Sequence, residues 1–211
     1  MADERKFWNE IWSATDDIGF GYDELLATYT ERFTLGRALE LGCGAGCNAG
    51  CNAVWLAERG WQVTAVDFSP ASVESSKQLA DQAGVTVELE VADAASYQPK
   101  SQFDLITSFY IQLPSPERAR MLANAGDVLA PGGTLLFVSH DESSPAQGWS
   151  QDDRLTLTTP EQIVAELQGL RIAEAKVLMG SAPAHVEGSE PHGVARGAHE
   201  SGTTVVLATK P

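Results

Sequence analysis

The sequence is short of cations. Fourteen Lys and Arg stand against 29 Asp and Glu, for a formal charge of -15, and the basic residues never form a run. A negative field over the surface repels phosphate backbones at long range, so a nucleic-acid partner is not expected. Long apolar runs are missing too: none approaches the roughly 20 residues of a membrane helix, and the opening MADERKFW lacks a signal-peptide core. The expectation is a cytoplasmic protein with no membrane partner. Cysteine is limited to Cys43, Cys47 and Cys51, an odd number packed too closely for a disulfide framework, so reduced thiols are expected.

The 211 residues, 43% hydrophobic and 20% charged, suit one globular domain. Helical and strand patterns alternate along it. YDELLATYTERF (22–33) is amphipathic, RALELG (37–42) reads as a buried strand, NAVWLAERG (52–60) as a helix and WQVTAVDF (61–68) as a strand. Ser69 and Pro70 open a helix that Gly84 closes. VTVELEV (85–91), FDLITSFY (103–110) and GTLLFVSH (133–140) are strands, with a helix over 115–129, another starting at Thr159-Pro160-Glu161, and final strands at 171–179 and 203–210. The alternation implies an α/β fold with a mainly parallel sheet and helices on both faces, whose ligand crevice lies at the carboxyl ends of the strands.

Three segments fall there. ALELGCGAG (38–46) puts Gly42, Gly44 and Gly46 directly after a strand, where missing Cβ atoms let backbone N–H groups approach a ligand; any tight strand-to-helix turn also favours glycine. AVDFSP (65–70) ends a strand on Asp67, about 20 residues on, where a carboxylate can accept both hydroxyls of a ribose; a solvated strand-end aspartate is the plainer alternative. EVADAASY (90–97) offers Asp93 either to an adenine amino group or to an Asx turn.

LELGCGAG, WQVTAVDFSP, VADAASY, FDLITSFYIQLP and LAPGGTLLFVSHD together resemble class I S-adenosylmethionine (SAM) dependent methyltransferases over residues 35–142, and FWNEIW resembles the small bacterial members related to tellurite-resistance and thiopurine methyltransferases. The resemblance implies a single-domain, Rossmann-like, seven-stranded sheet with its last strand antiparallel. It divides the chain into an N-terminal helical cap (1–34), a cofactor core (35–142) and a substrate-side remainder (143–211). It implies SAM as cofactor, with Glu40, Gly42, Gly44, Gly46 and Ser108 around it, Asp67 on the ribose, Phe68 on an adenine face, and Asp93 with Ala94 on the adenine edge. The acceptor is then a small molecule, a thiol or chalcogen by the subfamily likeness, with oxygen and nitrogen open. A monomer or homodimer fits.

On the acceptor side Tyr110 and Gln112 follow the fourth strand, and His140 and Asp141 the fifth. His140 could deprotonate an acceptor or be merely hydrogen-bonded. Trp8 and Trp12 could wall the substrate pocket or pack an N-terminal helix, Trp149 could anchor a mobile lid over 143–153, and His185, His192 and His199 fall in a glycine-rich insert read as a polar loop. Gly44, Gly46 and Ala49 also spell the dinucleotide variant G-x-G-x-x-A, but the chain offers no second domain for a hydride acceptor. A third reading is a non-catalytic adenosine-ligand sensor responding through its thiols.

The four residues AGCN occur twice in succession (45–52). Either Asn48 caps a helix one turn longer than usual, or Asn52 caps the usual helix and the first copy loops out; a mid-helix Gly50, costing about 1 kcal/mol against Ala, favours the loop. The C-x3-C-x3-C spacing matches neither zinc turns nor radical-SAM iron–sulfur ligation, so no metal is expected.

Overall fold

Twelve elements follow one another in strand–helix alternation in the computed structural model, which describes residues 21–44, 50–144, 154–181 and 200–211. They are α1 (Glu24–Thr30), β1 (Arg37–Leu41), α2 (Cys51–Glu58), β2 (Gln62–Asp67), α3 (Pro70–Ala83), β3 (Val87–Val91), β4 (Phe103–Phe109), α4 (Ser115–Val128), β5 (Leu129–His140), α5 (Pro160–Glu166), β6 (Arg171–Ser181) and β7 (Glu200–Thr209). Trp8, Trp12, Gly46, Cys47, Asn48, Trp149, His185, His192 and His199 lie outside the described residues.

The strands form one sheet in the order β3-β2-β1-β4-β5-β7-β6. Every pairing from β3 to β5 is parallel, and β7 runs antiparallel to both β5 and β6. This is the expected seven-stranded sheet with its last strand reversed. It also differs from the dinucleotide order 3-2-1-4-5-6, because β7 inserts between β5 and β6.

Alternating side chains divide the core into two layers, as a pleated strand requires. Leu39, Leu41, Ile106, Leu135 and Phe137 pack on one face with Met121, Leu122 and Ala125 of α4 and Ile163 of α5. Ala38, Leu105, Phe109, Leu136 and Val138 pack on the other with Leu26 of α1 and Trp55 and Leu56 of α2. Fully buried Phe103, Phe109 and Phe137 each contribute roughly 1.5–3 kcal/mol of transfer free energy.

The punctuation read from sequence produces the helix ends. Ser69 caps α3, accepting from the Ser72 N–H, and Gly84 ends it in the left-handed region. Thr159 and Gln162 form a capping box at the start of α5. At α2 the expectation needs correcting: the helix starts at Cys51, its cap position is Gly50 with φ 83°, and no side chain caps it. Asn52 is instead a buried residue inside the first turn, where its Oδ1 accepts the Asp23 N–H at 2.9 Å. A tertiary partner has taken the side chain that local capping would use. Among the described residues the helix runs from Cys51 to Glu58, within and after the second AGCN copy; the alternative cap at Asn48 lies outside the described residues.

Candidate active site

Order reverses between β1, which continues outward to β2, and β4, which continues to β5. The crevice therefore opens at the carboxyl ends of β1 and β4, and the sequence motifs converge there.

On the β1–β2 side the turn is tied to the sheet by backbone. The N–H groups of Gly42 and Cys43 both reach the Val66 carbonyl, at 2.8 and 3.0 Å. The Asp67 carboxylate is only 5% exposed. It accepts the Gly44 N–H on Oδ2 at 2.9 Å and the Ser69 N–H on Oδ1 at 2.8 Å. Burial pushes this carboxyl above the ordinary aspartate range, and the two N–H bonds pull the other way. A Cβ on Gly44 would run into Ser72 Oγ of α3 and come within 3.1 Å of Asp67 Oδ2, so glycine here is a steric requirement. The second AGCN copy closes the turn: the Gly50 N–H donates to the Cys43 carbonyl at 2.8 Å, and a Cβ on Gly50 would lie 2.7 Å from Ser76 Cβ.

Cys43 is buried at 2% exposure against Ser76. Burial first, then the charges of Asp67 and Glu40, push its thiol far above the usual range. A thiol held so firmly in its protonated form is a poor redox or metal-sensing group, which weighs against the sensor reading at this position.

Glu40 lies near the end of β1 at 2% exposure. Burial pushes its carboxyl up to about 8, with the Asn52 side chain bonding to it and Asp67 adding repulsion. Its Oε2 has no hydrogen-bond partner, and neither have the buried hydroxyls of Ser108 and Ser139 near the ends of β4 and β5. Buried polar atoms without partners are uncommon in folded proteins. A carboxyl oxygen, two hydroxyls and a glycine cradle suit a polar, positively charged ligand. Phe68 stands half-buried beside Asp67. Asp93 does make the Asx turn, its Oδ1 accepting the Ala95 N–H at 2.9 Å, with Ala94 half-buried inside that turn.

Across the crevice, Tyr110 follows β4 with φ 53°, the one non-glycine residue with positive φ among those described. Its N–H donates to the Val138 carbonyl at 2.8 Å, and its ring lies 4.8 Å from that of His140, tilted by 42°. An aromatic residue in the left-handed region is strained, and such strain gathers at functional sites. Gln112 is half-buried and accepts from Thr156 Oγ1 at 3.2 Å. Asp141, expected from its strand-end position to face the crevice, instead braces the β5–β7 end. Thr204 Oγ1 donates to its Oδ2 at 2.7 Å, and the Ser143 N–H donates to its Oδ1 at 2.9 Å.

Asp23 carried no signal of a site role in the sequence. This residue caps α1 through the Leu25 N–H at 2.8 Å, and its own N–H donates to Asn52 Oδ1 at 2.9 Å. Burial raises its carboxyl above the ordinary aspartate value, with the Leu25 and Tyr110 bonds opposing. Its tie to Asn52, 29 residues along the chain, was not legible in the sequence.

The comparisons with known proteins meet this geometry. A methyltransferase domain model matches residues 38–133. Aklanonic acid methyltransferase DauC of Streptomyces sp. is 27% identical over 149 residues, 64% of this chain and 67% of that protein. Over these residues the chain is similar to SAM-dependent methyltransferases. Among solved structures, TehB from Haemophilus influenzae superposes with TM-score 0.73 at 15% identity over 99% of this chain and 67% of that one. The N-methyltransferase NodS from Bradyrhizobium japonicum, in complex with S-adenosylhomocysteine, superposes with TM-score 0.71 at 17% identity over 98% of each chain. At those identities the likeness is one of fold. The chain spans 49% and 36% of the length of two other curated relatives that it matches. The partnerless polar atoms and the glycine cradle fit SAM, the cofactor that the methyltransferase likeness implies. Among the described residues no helix is long and apolar enough to cross a membrane.

Proposed function

We propose that the protein transfers a methyl group from SAM to a small-molecule acceptor held between the β1 and β4 ends. The observation that carries this reading is the brace in which one buried carboxylate, Asp67, fixes both the glycine turn and the start of α3. Such a brace sets N–H groups and acidic side chains in place before a ligand arrives, which lowers the ordering cost of binding. SAM supplies an electrophilic methyl on a sulfonium. Gly42, Gly44 and Gly46 approach its methionine part, Asp67 its ribose, Phe68 an adenine face, Asp93 and Ala94 the adenine edge, and Glu40 and Ser108 lie nearby.

Tyr110 and His140 flank the acceptor, with Gln112 at the pocket edge and Trp8 and Trp12 as its further walls. Together they hold a lone pair opposite the leaving sulfur, since an oriented pair of reactants gains most of what this displacement needs. A small acceptor accords with the charge of -15, which disfavours an RNA backbone, and with the acid named for DauC. A thiol or chalcogen acceptor rests on the subfamily likeness.

Calorimetric titration with SAM and S-adenosylhomocysteine tests this, followed by transfer of label from methyl-tritiated SAM to thiol, phenol and amine probes. Micromolar binding with transfer to at least one probe is expected. Absence of SAM binding would sink the reading.

A further inference from the structure

The segment that ends in α5 grips both halves of the acceptor side. Ahead of the helix, Thr156 Oγ1 donates to Gln112 Oε1 at 3.2 Å. The Thr158 N–H and hydroxyl both donate to the His140 carbonyl, at 3.1 and 3.2 Å, and the Glu142 N–H donates to the Thr158 carbonyl at 3.0 Å. In the first turn, Gln162 Nε2 donates to Glu142 Oε1 at 2.9 Å. At the other end of the helix, Glu166 meets Arg118 of α4 in a two-pronged ion pair. Arg118 Nε donates to Oε2 at 3.0 Å and Nη2 to Oε1 at 2.9 Å, while Ser115 Oγ adds a bond to Oε1 at 2.8 Å. The remaining arm of the guanidinium, Nη1, donates to the Leu113 carbonyl at 3.2 Å. The two side chains are only 3% and 12% exposed, and an arginine is almost never buried so deeply unless it is paired.

We infer that Arg118 is a positioning residue of the acceptor site. It holds the β4–α4 loop through Leu113 and the end of β5 through Glu166 and α5, and so sets the spacing between Gln112 and His140. The inference rests on the proposed methyl transfer and adds residues 156–166 to its acceptor side. Net stability does not account for such a pair, because apolar residues of the same volume usually serve a buried site as well. The shape of the group does account for it. A guanidinium is a planar fork whose separate arms reach Glu166 and Leu113 together, whereas an ammonium is a compact point charge. The displacement needs the acceptor lone pair opposite the sulfonium methyl, and a misplacement of about 1 Å costs on the order of 100-fold even when its origin lies far from the chemistry. The cradle of Gly42, Gly44 and Asp67 is fixed by other bonds, so SAM affinity should not depend on Arg118.

Two variants separate positioning from support of the fold. Arg118→Met combined with Glu166→Leu leaves no unpaired buried charge, so the fold is kept; Arg118→Lys keeps the charge and loses the fork. For the apolar pair, calorimetry should give SAM affinity within about threefold of the parent, while kcat/KM for whichever of 2-mercaptoethanol, catechol and aniline the parent methylates falls about 10-fold or more. A smaller fall in kcat/KM overturns the inference. A loss of SAM affinity as large as the loss in kcat/KM also overturns it, since Arg118 would then support the whole fold. If the apolar pair does not fold, Arg118→Lys is held to the same outcomes. Hydrogen exchange needs no acceptor: over residues 109–114 it should quicken about tenfold or more in the variant, and over residues 41–44 it should not change. Unchanged exchange over 109–114, or equal quickening of both segments, overturns the inference. If the parent binds no SAM or methylates no probe, the methyltransferase reading fails instead, and the exchange measurement still decides whether Arg118 holds the loop.

Discussion

The two sides of the crevice are built differently. On the cofactor side, backbone N–H groups from the β1 turn and the α3 cap converge on the buried carboxylate of Asp67, and glycine is forced by contact with Ser72. On the acceptor side, Tyr110, Gln112 and His140 are half-buried and lean on their neighbours through side chains. Backbone hydrogen bonds survive most side-chain substitutions, whereas a pocket held by side-chain contacts is remade by one. A fold can in this way keep one cofactor while its acceptor changes.

If the cofactor side is rigid, the largest loss should come from a single methyl group there. Gly44→Ala is expected to weaken SAM binding by about 100-fold or more, near 3 kcal/mol, because neither Asp67 nor α3 can retreat. Adding Ser72→Ala removes the hydroxyl that the new Cβ meets and should restore part of that loss. Calorimetry reads both. SAM affinity within about threefold of the parent in Gly44→Ala alone would break the contrast, by showing that the cradle yields.

Glu40 gives the next effect, and its sign follows from burial. Its folded-state carboxyl is raised to about 8 from an ordinary 4.5, so the stability it contributes is fully present below about pH 4.5 and is lost as pH rises through 8. The loss is on the order of a few kcal/mol. A cationic cofactor favours the carboxylate, so SAM binding should release a proton and tighten up to about tenfold per unit between pH 6 and 8. Glu40→Gln should flatten both profiles. Thermal unfolding and calorimetry from pH 5 to 9 test this, and a SAM affinity that stays pH-dependent in Glu40→Gln would assign the proton elsewhere.

At the rim of the acceptor side, Thr204→Val removes the 2.7 Å bond to Asp141 Oδ2. A hydrogen bond to a charged group contributes about 1.5–3 kcal/mol, so denaturant unfolding should show a loss in that range. SAM affinity should not change, because Asp141 braces β5 against β7 and not the cradle. A parallel fall in SAM affinity would join the two sides into one unit.

These contrasts also explain what could be read from the residues alone. The strand runs and the Ser69–Gly84 helix were legible, because each depends on local periodicity or capping; that Asp67 also accepts the Gly44 N–H, 23 residues earlier, was not. The α2 start was misjudged because Asn52 has the right type for a local cap but serves the Asp23 backbone instead. Asp141 was misjudged because strand-end position does not reveal that Thr204, 63 residues later, takes its carboxylate. The tie between Asp23 and Asn52 was invisible for the same reason.

The tandem AGCN offers the smallest effect. Its second copy carries the anchors: Gly50 bonds Cys43 and fits against Ser76, Cys51 starts α2, and Asn52 meets Asp23. Deleting residues 47–50 leaves Gly46 directly before Cys51, so the same residue types return to the same anchors with a shorter loop. Loop-closure entropy then favours the shortened chain by less than about 1 kcal/mol, and SAM affinity should stay within about threefold. If shortening abolishes binding, the inserted unit has become part of the cradle, and the cofactor side is less uniform than its backbone bonds imply. If only the shortened chain binds, the duplication itself blocks a cradle that is otherwise ready, and every acceptor experiment belongs on the shortened protein.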